Sequence, residues 1–292
     1  MNVNGKLRGL TKMFGLGCLC IAVTLADTYA SDASSSAELA KPTVVSINLC
    51  ADQLTLVLAE PVQILSLSHL SHEEGGSVYV DLAKRYPTNT GLVEQVLPLQ
   101  PDIVIAGQYT SRYTLRMLEA VGLRVEILPI ADSIESMLGN ITNLSIWLGQ
   151  SRKGEALVKK LRQRVEALSS ESLSHRPRAA VYDPNGYTVG ENSLRGEVLE
   201  LAGWHNVASD VGITRYGQIS LETLLILNPD ATIESPYSPD TWSRAQALSL
   251  HPAIKSRGLD ADVIQVPSAQ TICGGPWTVD LIEQLRLKVL RE

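Results

Sequence analysis

Val93-Glu94-Gln95-Val96-Leu97-Pro98-Leu99-Gln100-Pro101-Asp102-Ile103 and Leu221-Glu222-Thr223-Leu224-Leu225-Ile226-Leu227-Asn228-Pro229-Asp230-Ala231 match position by position in character. Each opens on an apolar residue and a glutamate, runs through a short amphipathic stretch, and meets Pro-Asp seven residues after the glutamate. Proline supplies no N–H and keeps the residue before it out of the right-handed helical region, so each helix stops there and a strand follows. The chain therefore carries the same helix-to-strand unit twice, which points to two pseudo-equivalent lobes.

Outward from these units, short β-branched runs alternate with helical stretches, the pattern of parallel sheets with crossover helices. The first lobe is expected to hold strands at Thr43–Ile47, Gln63–Leu67, Asp102–Ala106 and Arg124–Leu128. Its helices are expected near Ala51–Leu58, Leu92–Leu97, Thr114–Ala120 and Ser133–Leu148. After Pro177 a second set is read: strands at Arg178–Tyr182, Asp230–Glu234 and Asp262–Val266, with helices near Leu194–Leu201, Leu221–Leu227, Trp242–Leu248 and Thr278–Leu290. Between the sets, Gln150–Ser172 has no proline, one glycine, and an apolar stripe at Leu157, Leu161, Val165 and Leu168 flanked by Lys159, Lys160, Arg162 and Arg164. As one helix it would be roughly 33 Å long, enough to run along both lobes. The competing reading is an ordinary surface helix in one continuous domain; the repeated unit favours the two-lobed arrangement. The fold class is accordingly α/β, with two lobes, each a mainly parallel sheet flanked by helices, joined by one backbone helix. The boundaries expected are a signal over 1–30, a first lobe over 31–148, the linking helix over 149–173 and a second lobe over 174–292.

Lys6, Arg8 and Lys12 precede an apolar run from Met13 to Ala26, too short to span a bilayer comfortably, and small residues at Thr28 and Ala30 offer a cleavage point after Ala30. This reads as an export signal and places the product in the periplasm of a Gram-negative cell. Cys18 has Gly15 three residues before it and Cys20 follows Leu19, neither of which suits a lipid-anchor signal. Losing Lys6, Arg8, Lys12 and Asp27 takes the formal charge from −6 to −8, which argues against nucleic acid as a partner.

Ligands of parallel α/β sheets collect beyond the carboxyl ends of the strands, so the informative loops are Asn48–Asp52, Ser68–Glu74, Gly107–Arg112, Asp183–Gly190 and Ser268–Trp277. Asn48 stands directly after the first strand. Tyr109, Tyr187 and Trp277 offer flat faces suited to a catecholate, a hydroxamate chelate or a macrocycle, and Tyr216 is placed to join them. Arg112, Arg195 and Arg215 are candidate cations for an anionic chelate. His69, His72, Glu73 and Glu74 form a cluster whose imidazoles and carboxylates suit a transition ion, His69 and His72 foremost; contact between His69 and the ligand is a second reading, and a solvated loop is the plainer one. Cys50 and Cys273, one per lobe, are compatible with a disulfide, with two separately packed thiols, or with a thiol pair touching ligand or metal.

In order and spacing, the opening segment Val44-Val45-Ser46-Ile47-Asn48-Leu49-Cys50, the twin Glu-to-Pro-Asp units, the long helix, and His251-Pro252-Ala253-Ile254 running into Asp262-Val263-Ile264 resemble the periplasmic binding proteins of the helical-backbone type that serve importers of iron-siderophore complexes and vitamin B12. The resemblance implies two lobes across a shallow cleft, a stiff connecting helix, and a monomer. Its cargo would be a metal chelate, a ferric siderophore or related iron complex, with a corrinoid or haem as the alternative. No resident cofactor is implied, since the cargo carries the metal. The resemblance further implies that Glu94 and Glu222, one per lobe, meet arginines on the outer loops of a dimeric ABC importer permease in the inner membrane; helix capping is the plainer account of each. One departure concerns the tryptophans that corrinoid binders of this family gather in the cleft: here only Trp277 falls in a cleft loop, Trp147 and Trp242 read as helical, and Trp204 as core. The chain is expected not to be an enzyme, for it has no G-x-G-x-x-G after a strand, no phosphate-binding Walker loop, no G-x-S-x-G elbow and no H-E-x-x-H. A thiol- or metal-dependent enzyme using Cys50, Cys273 and His69 is the remaining alternative of that class.

Overall fold

The computed structural model describes residues 41–170, 173, 175–237, 252 and 263–291. The stretch expected to be an export signal, the helix expected at Trp242–Leu248 and most of the His251–Ile254 segment lie outside the described residues.

Val44–Ser46 (β1), Ile64–Ser68 (β2), Thr88–Asn89 (β3), Ile103–Gly107 (β4) and Val125–Leu128 (β5) form a five-stranded parallel sheet in the order β3-β2-β1-β4-β5. Leu49–Leu58 (α1), Val80–Ala83 (α2), Val93–Val96 (α3), Arg112–Ala120 (α4) and Ile134–Trp147 (α5) are the helices of this half. The order reverses between β1 and β4, so the loops leaving those two strands diverge and open a crevice at their carboxyl ends. The long connector is one helix, Ser151–Ser170 (α6), about 30 Å long at 1.5 Å per residue.

In the second half Arg178–Val181 (β6), His205–Asn206 (β8), Ala231–Glu234 (β10) and Val263–Gln265 (β11) form a parallel sheet ordered β11-β10-β6-β8. Tyr187–Val189 (β7) and Tyr216–Gln218 (β9) pair as a separate antiparallel ribbon. Leu194–Ala202 (α7), Leu221–Leu227 (α8) and Pro276–Val289 (α9) complete the half. The crevice is repeated here, between β6 and β10.

The core follows from the strand pattern. Val44, Ile103 and Ile105 are buried against Leu54, Met137 and Ile141, and the same apolar cluster continues through Leu161 of α6 to Trp204, Leu281 and Ile282. Leu157, Val165 and Leu168 extend the stripe on α6, as its periodicity predicts. The polar face of that helix is tied to both halves: Arg162 pairs with Glu135 of α5 at 2.9 Å, and Arg164 with Asp280 and Glu283 of α9 at 2.7 and 2.6 Å.

The repeated unit is repeated in space. Gln100 and Asn228 both take left-handed backbone (φ 46° and 45°) immediately before their prolines. The aspartates that follow close the same tie to the first strand of each sheet. Asp102 accepts from the Thr43 N–H and hydroxyl, both at 2.7 Å, and Asp230 accepts from the Arg178 N–H at 2.7 Å. These two donors from Thr43 hold the Asp102 carboxyl below its ordinary pKa.

Candidate functional site

Two adjoining cavities of about 400 and 410 Å³ lie at the carboxyl ends of the strands, one at each crevice. Asn48, Cys50, Gly107–Thr110, Pro129, Asn140 and Cys273 are prominent in the lining of the first. The second takes Asp183, Tyr187, Arg195, Tyr216, Ser235 and Tyr237. Ile130, Ala131 and Ile272 line both, so the two cavities are halves of one cleft.

On the first side, Asn48 follows β1 in extended backbone and its Oδ1 accepts from the N–H groups of Cys50 and Ala51 at 3.0 and 3.2 Å, capping α1. Gly107, at the end of β4, lies so close that a Cβ there would sit on the Asn48 carboxamide. Gln108 Oε1 accepts from Ile130 N–H at 3.1 Å, holding the Pro129–Ile130 segment against the cleft. Tyr109 stands at the rim, 85 % exposed.

Across the cleft, Tyr187 and Tyr216 are neighbours through the β7-β9 ribbon, and their rings stack with centroids 6.3 Å apart and planes 19° from parallel. Burial, together with the neighbouring Tyr216 ring, raises the Tyr187 phenol above its ordinary pKa. Arg215 lies 5.5 Å from the Tyr216 ring centroid and also pairs with Asp132, in the stretch before α5, at 2.7 Å. Arg195 is held by Asp183 at 2.5 Å and by the Ser235 hydroxyl at 3.1 Å, so its guanidinium enters the cavity already fixed in direction.

Further contacts join the halves on either side. Glu197 of α7 accepts from the Ile134 N–H at the start of α5, at 2.7 Å. At the opposite edge the Ser268 hydroxyl donates to Gly75 O at 2.6 Å and the Tyr237 hydroxyl donates to Glu73, which raises the phenol's pKa. Cys50 and Cys273 are bonded to each other, with Cα atoms 5.2 Å apart, and the bridge forms part of the wall of the first cavity. Of the three arrangements open from sequence, the structure holds the disulfide; in that state neither sulfur is the thiolate nucleophile a thiol enzyme requires.

Asn48, Cys50, Tyr109, Tyr187, Tyr216 and Cys273 thus come together in the cleft, as does Arg195. Trp277 does not, and the expectation is corrected. It is 3 % exposed in the first turn of α9, donates to Cys273 O at 2.7 Å and meets Tyr79 edge-on at 5.7 Å. A proline-led helix starting at Pro276 turns the indole into the core instead of leaving it on the loop. Arg112 opens α4 on the exposed surface and lies outside the lining of both cavities.

The His69–His72 stretch is a 3-10 turn, also outside the lining. There His72 Nε2 bonds Ala83 O at 3.0 Å and His69 is exposed. Among the described residues no group of three or more His, Cys, Asp and Glu is placed to hold a metal ion. Sequence reading missed Tyr237, Ile130 and Ile272 as cleft residues; Tyr237 follows β10 and could have been found by the same carboxyl-end rule.

With this geometry in place, comparison with known proteins defines the class: residues 44–256 match the periplasmic binding protein family, and the chain belongs to it. Among curated relatives, a cobalamin-binding protein of Halobacterium salinarum is 28 % identical over 210 residues, covering 70 % of this chain and 57 % of that protein. The chain therefore spans little more than half of that relative's length. A vitamin B12-binding protein of Vibrio cholerae is 26 % identical over 204 residues, 66 % of this chain and 70 % of its own. Among solved structures, the periplasmic haem-binding protein of Roseiflexus sp. RS-1 in apo form superposes with a TM-score of 0.71 at 19 % identity, covering 85 % of this chain and 97 % of that one. The periplasmic vitamin B12-binding protein of Vibrio cholerae superposes at 0.64 with 20 % identity over 86 % and 98 %. These structures share the fold. Among the described residues no helix is long and apolar enough to cross a membrane.

Proposed function

We propose that this chain is an exported receptor that captures a flat, metal-bearing chelate between lobes 31–148 and 174–292 and delivers it to an ABC importer. The observation that carries the reading is the cleft itself. Two cavities at the crevices of two parallel sheets face one another, with a stacked tyrosine pair and a fixed guanidinium on one side and carboxamides on the other. A flat macrocycle finds a ring face at Tyr187 and Tyr216 and a positive group at Arg195. The relatives named for cobalamin and the structures named for haem support a corrinoid or haem; a ferric siderophore offers the same combination of flat face and negative charge and is the second ligand to test.

Titrating the purified protein with cyanocobalamin, haemin, a ferric catecholate and a ferric hydroxamate tests the reading. Micromolar or tighter binding of one of them, weakened on replacing Tyr187, is the expected result; binding of none would remove the proposal.

Delivery requires a docking face. Glu94 and Glu222 are each the second residue of a short helix, each exposed, and each in the unit that recurs in both halves. We assign them to the permease, one per lobe, as charges that set docking geometry and association rate. A Glu94→Ala, Glu222→Ala double variant should bind ligand normally and fail to support uptake through its permease. Uptake at the parent's rate, at protein levels below saturation, would leave capping as their role.

A further inference from the structure

The segment Thr271–Gly275 runs between the two halves of the molecule. A Cβ at Gly274 would stand 2.9 Å from Ala131 Cβ, 2.9 Å from Leu194 Cδ2 and 3.2 Å from Met137 Cγ, so the chain passes there between α5 of one half and α7 of the other with room for glycine alone. On its own side the segment is anchored by hydrogen bonds. Ser268 O accepts from the N–H groups of Thr271 and Ile272 at 2.9 and 3.0 Å, and Cys273 O accepts from the buried Trp277 indole at 2.7 Å. Toward the other half its covalent attachment is the Cys273–Cys50 bond, which reaches the first turn of α1.

Between two such anchors the side chain of Ile272 is lifted into the cleft. It is 44 % exposed, lines both cavities, and shares that position with Ile130, 41 % exposed, which comes from the other half. Carboxamides and a hydroxyl (Asn48, Gln108, Thr110, Asn140) lie to one side and Asp183, Arg195 and Ser235 to the other. The middle of the cleft is thus an apolar saddle between two polar ends. Exposed isoleucines gain by being covered, and what covers them has to be apolar or flat at its centre while reaching polar groups on both sides.

We infer that Ile272 and Ile130 are the ledge on which the body of the ligand rests, and that the Cys50–Cys273 bridge is the positioning element that fixes the height of that ledge. The inference rests on the cleft being the ligand site and adds which atoms bear the ligand and what holds them there. It selects a ligand broad enough to occupy both cavities at once, with polar groups at its edges and a flat or apolar centre. A small hydrophilic chelate that fits one cavity leaves the saddle uncovered.

Two measurements test it, one of them needing no ligand. Hydrogen exchange followed by mass spectrometry compares the oxidised parent with a Cys50→Ser, Cys273→Ser variant. At labelling times too short for global unfolding, amides of Thr271–Gly275 should exchange about tenfold faster or more in the variant, while those of β4 and β10 stay protected in both proteins. Unchanged exchange at Thr271–Gly275 overturns the positioning role, and so does exchange of β4 and β10 that rises in step with that segment at the same short times, which would make the bridge a global staple only.

In the second arm haemin and cyanocobalamin are titrated into the parent, Ile272→Ala and the serine variant. For whichever probe the parent binds, both substitutions should raise Kd about tenfold or more. Parent-like affinity in Ile272→Ala removes the ledge. If the parent binds neither probe, the ligand class fails, while the exchange arm still decides whether the bridge sets the segment's position.

Discussion

Asp52 is fully buried on α1, where its carboxylate accepts from the Ser68 N–H at 3.0 Å and the Ser68 hydroxyl at 2.6 Å. Burial disfavours the charged form more than these donors favour it, and the carboxyl is pushed up from 3.8 to about 7. In the unfolded chain the same group ionises near pH 4. Between those two values the native state holds a proton that the unfolded state has lost, so stability falls as pH rises. The contribution is fully present below about pH 4, is lost progressively toward pH 7, and changes no further above that. At about 1.4 kcal/mol per pKa unit the whole effect is about 4 kcal/mol, an upper figure because local relaxation or a penetrating water lowers it.

Asp52→Asn keeps the shape and the acceptor for the Ser68 N–H but cannot ionise. Urea unfolding of parent and variant at several values from pH 4 to 8 isolates the group, because all other titrations are common to both. The parent should lose stability relative to the variant by about 1 kcal/mol per pH unit between pH 5 and 7, and the difference should level off above about pH 7.5. Parallel stability curves for the two proteins across that range would refute the reasoning and mean that the carboxylate is ionised and solvated in the native state.

The remaining expectations concern the bridge, the ring pair and the buried indole. Reducing Cys50–Cys273 opens a loop with a sequence separation of 223, and the loop-closure relation gives about 5 kcal/mol; denaturant unfolding with and without reductant measures it, and a change below about 1 kcal/mol would contradict the assignment. Tyr187→Ala and Tyr216→Ala should each weaken ligand binding by about 1–3 kcal/mol by calorimetry while unfolding stays cooperative; parent-like affinity in both would move the site. Trp277→Ala should cost about 3–5 kcal/mol in unfolding free energy, since it empties core and not cleft; a loss under about 1 kcal/mol would return the indole to the cleft wall.

What sequence could and could not show follows from the length scale of each signal. Strands β1, β2, β4, β5, β6 and β10 are apolar runs bounded by turn residues and were legible, as was the stripe on α6 that spans Leu157 to Leu168. The strands β3, β7, β8 and β9 have two or three residues each, too few to show a period of two. The ring pair illustrates the cost: Tyr187 and Tyr216 could be named one by one from their loops, but their stacking depends on the unread β7-β9 ribbon. Trp277 was misplaced because Gly274-Gly275-Pro276 reads equally as a loop or as the entry to a helix, and only packing against Tyr79 decides. Ile272 lies in the loop Ser268–Trp277 and Ile130 just beyond β5, so the carboxyl-end rule reaches both, but nothing in the sequence tells an exposed isoleucine there from a buried one.

The two halves have kept one end of their sheets alike and let the other end diverge, and that division separates structure from function. At the amino end, Asp102 to Thr43 and Asp230 to Arg178 are the same tie made twice, each behind a left-handed residue and a proline. At the carboxyl end the equivalent positions after β1 and β6 are Asn48 and Asp183, and they do different work: the first caps a helix, the second holds a guanidinium. Losing such a tie leaves an N–H at the entry to the sheet's first strand without a partner. On the proposed reading a residue facing the cleft answers to the ligand instead, and a ligand lying across both cavities presents a different edge to each. If the cleft is the ligand site proposed above, its asymmetry, neutral carboxamides against an arginine and stacked phenols, suits a ligand with one edge rich in neutral hydrogen-bonding groups and the other carrying negative charge or an exposed ring face.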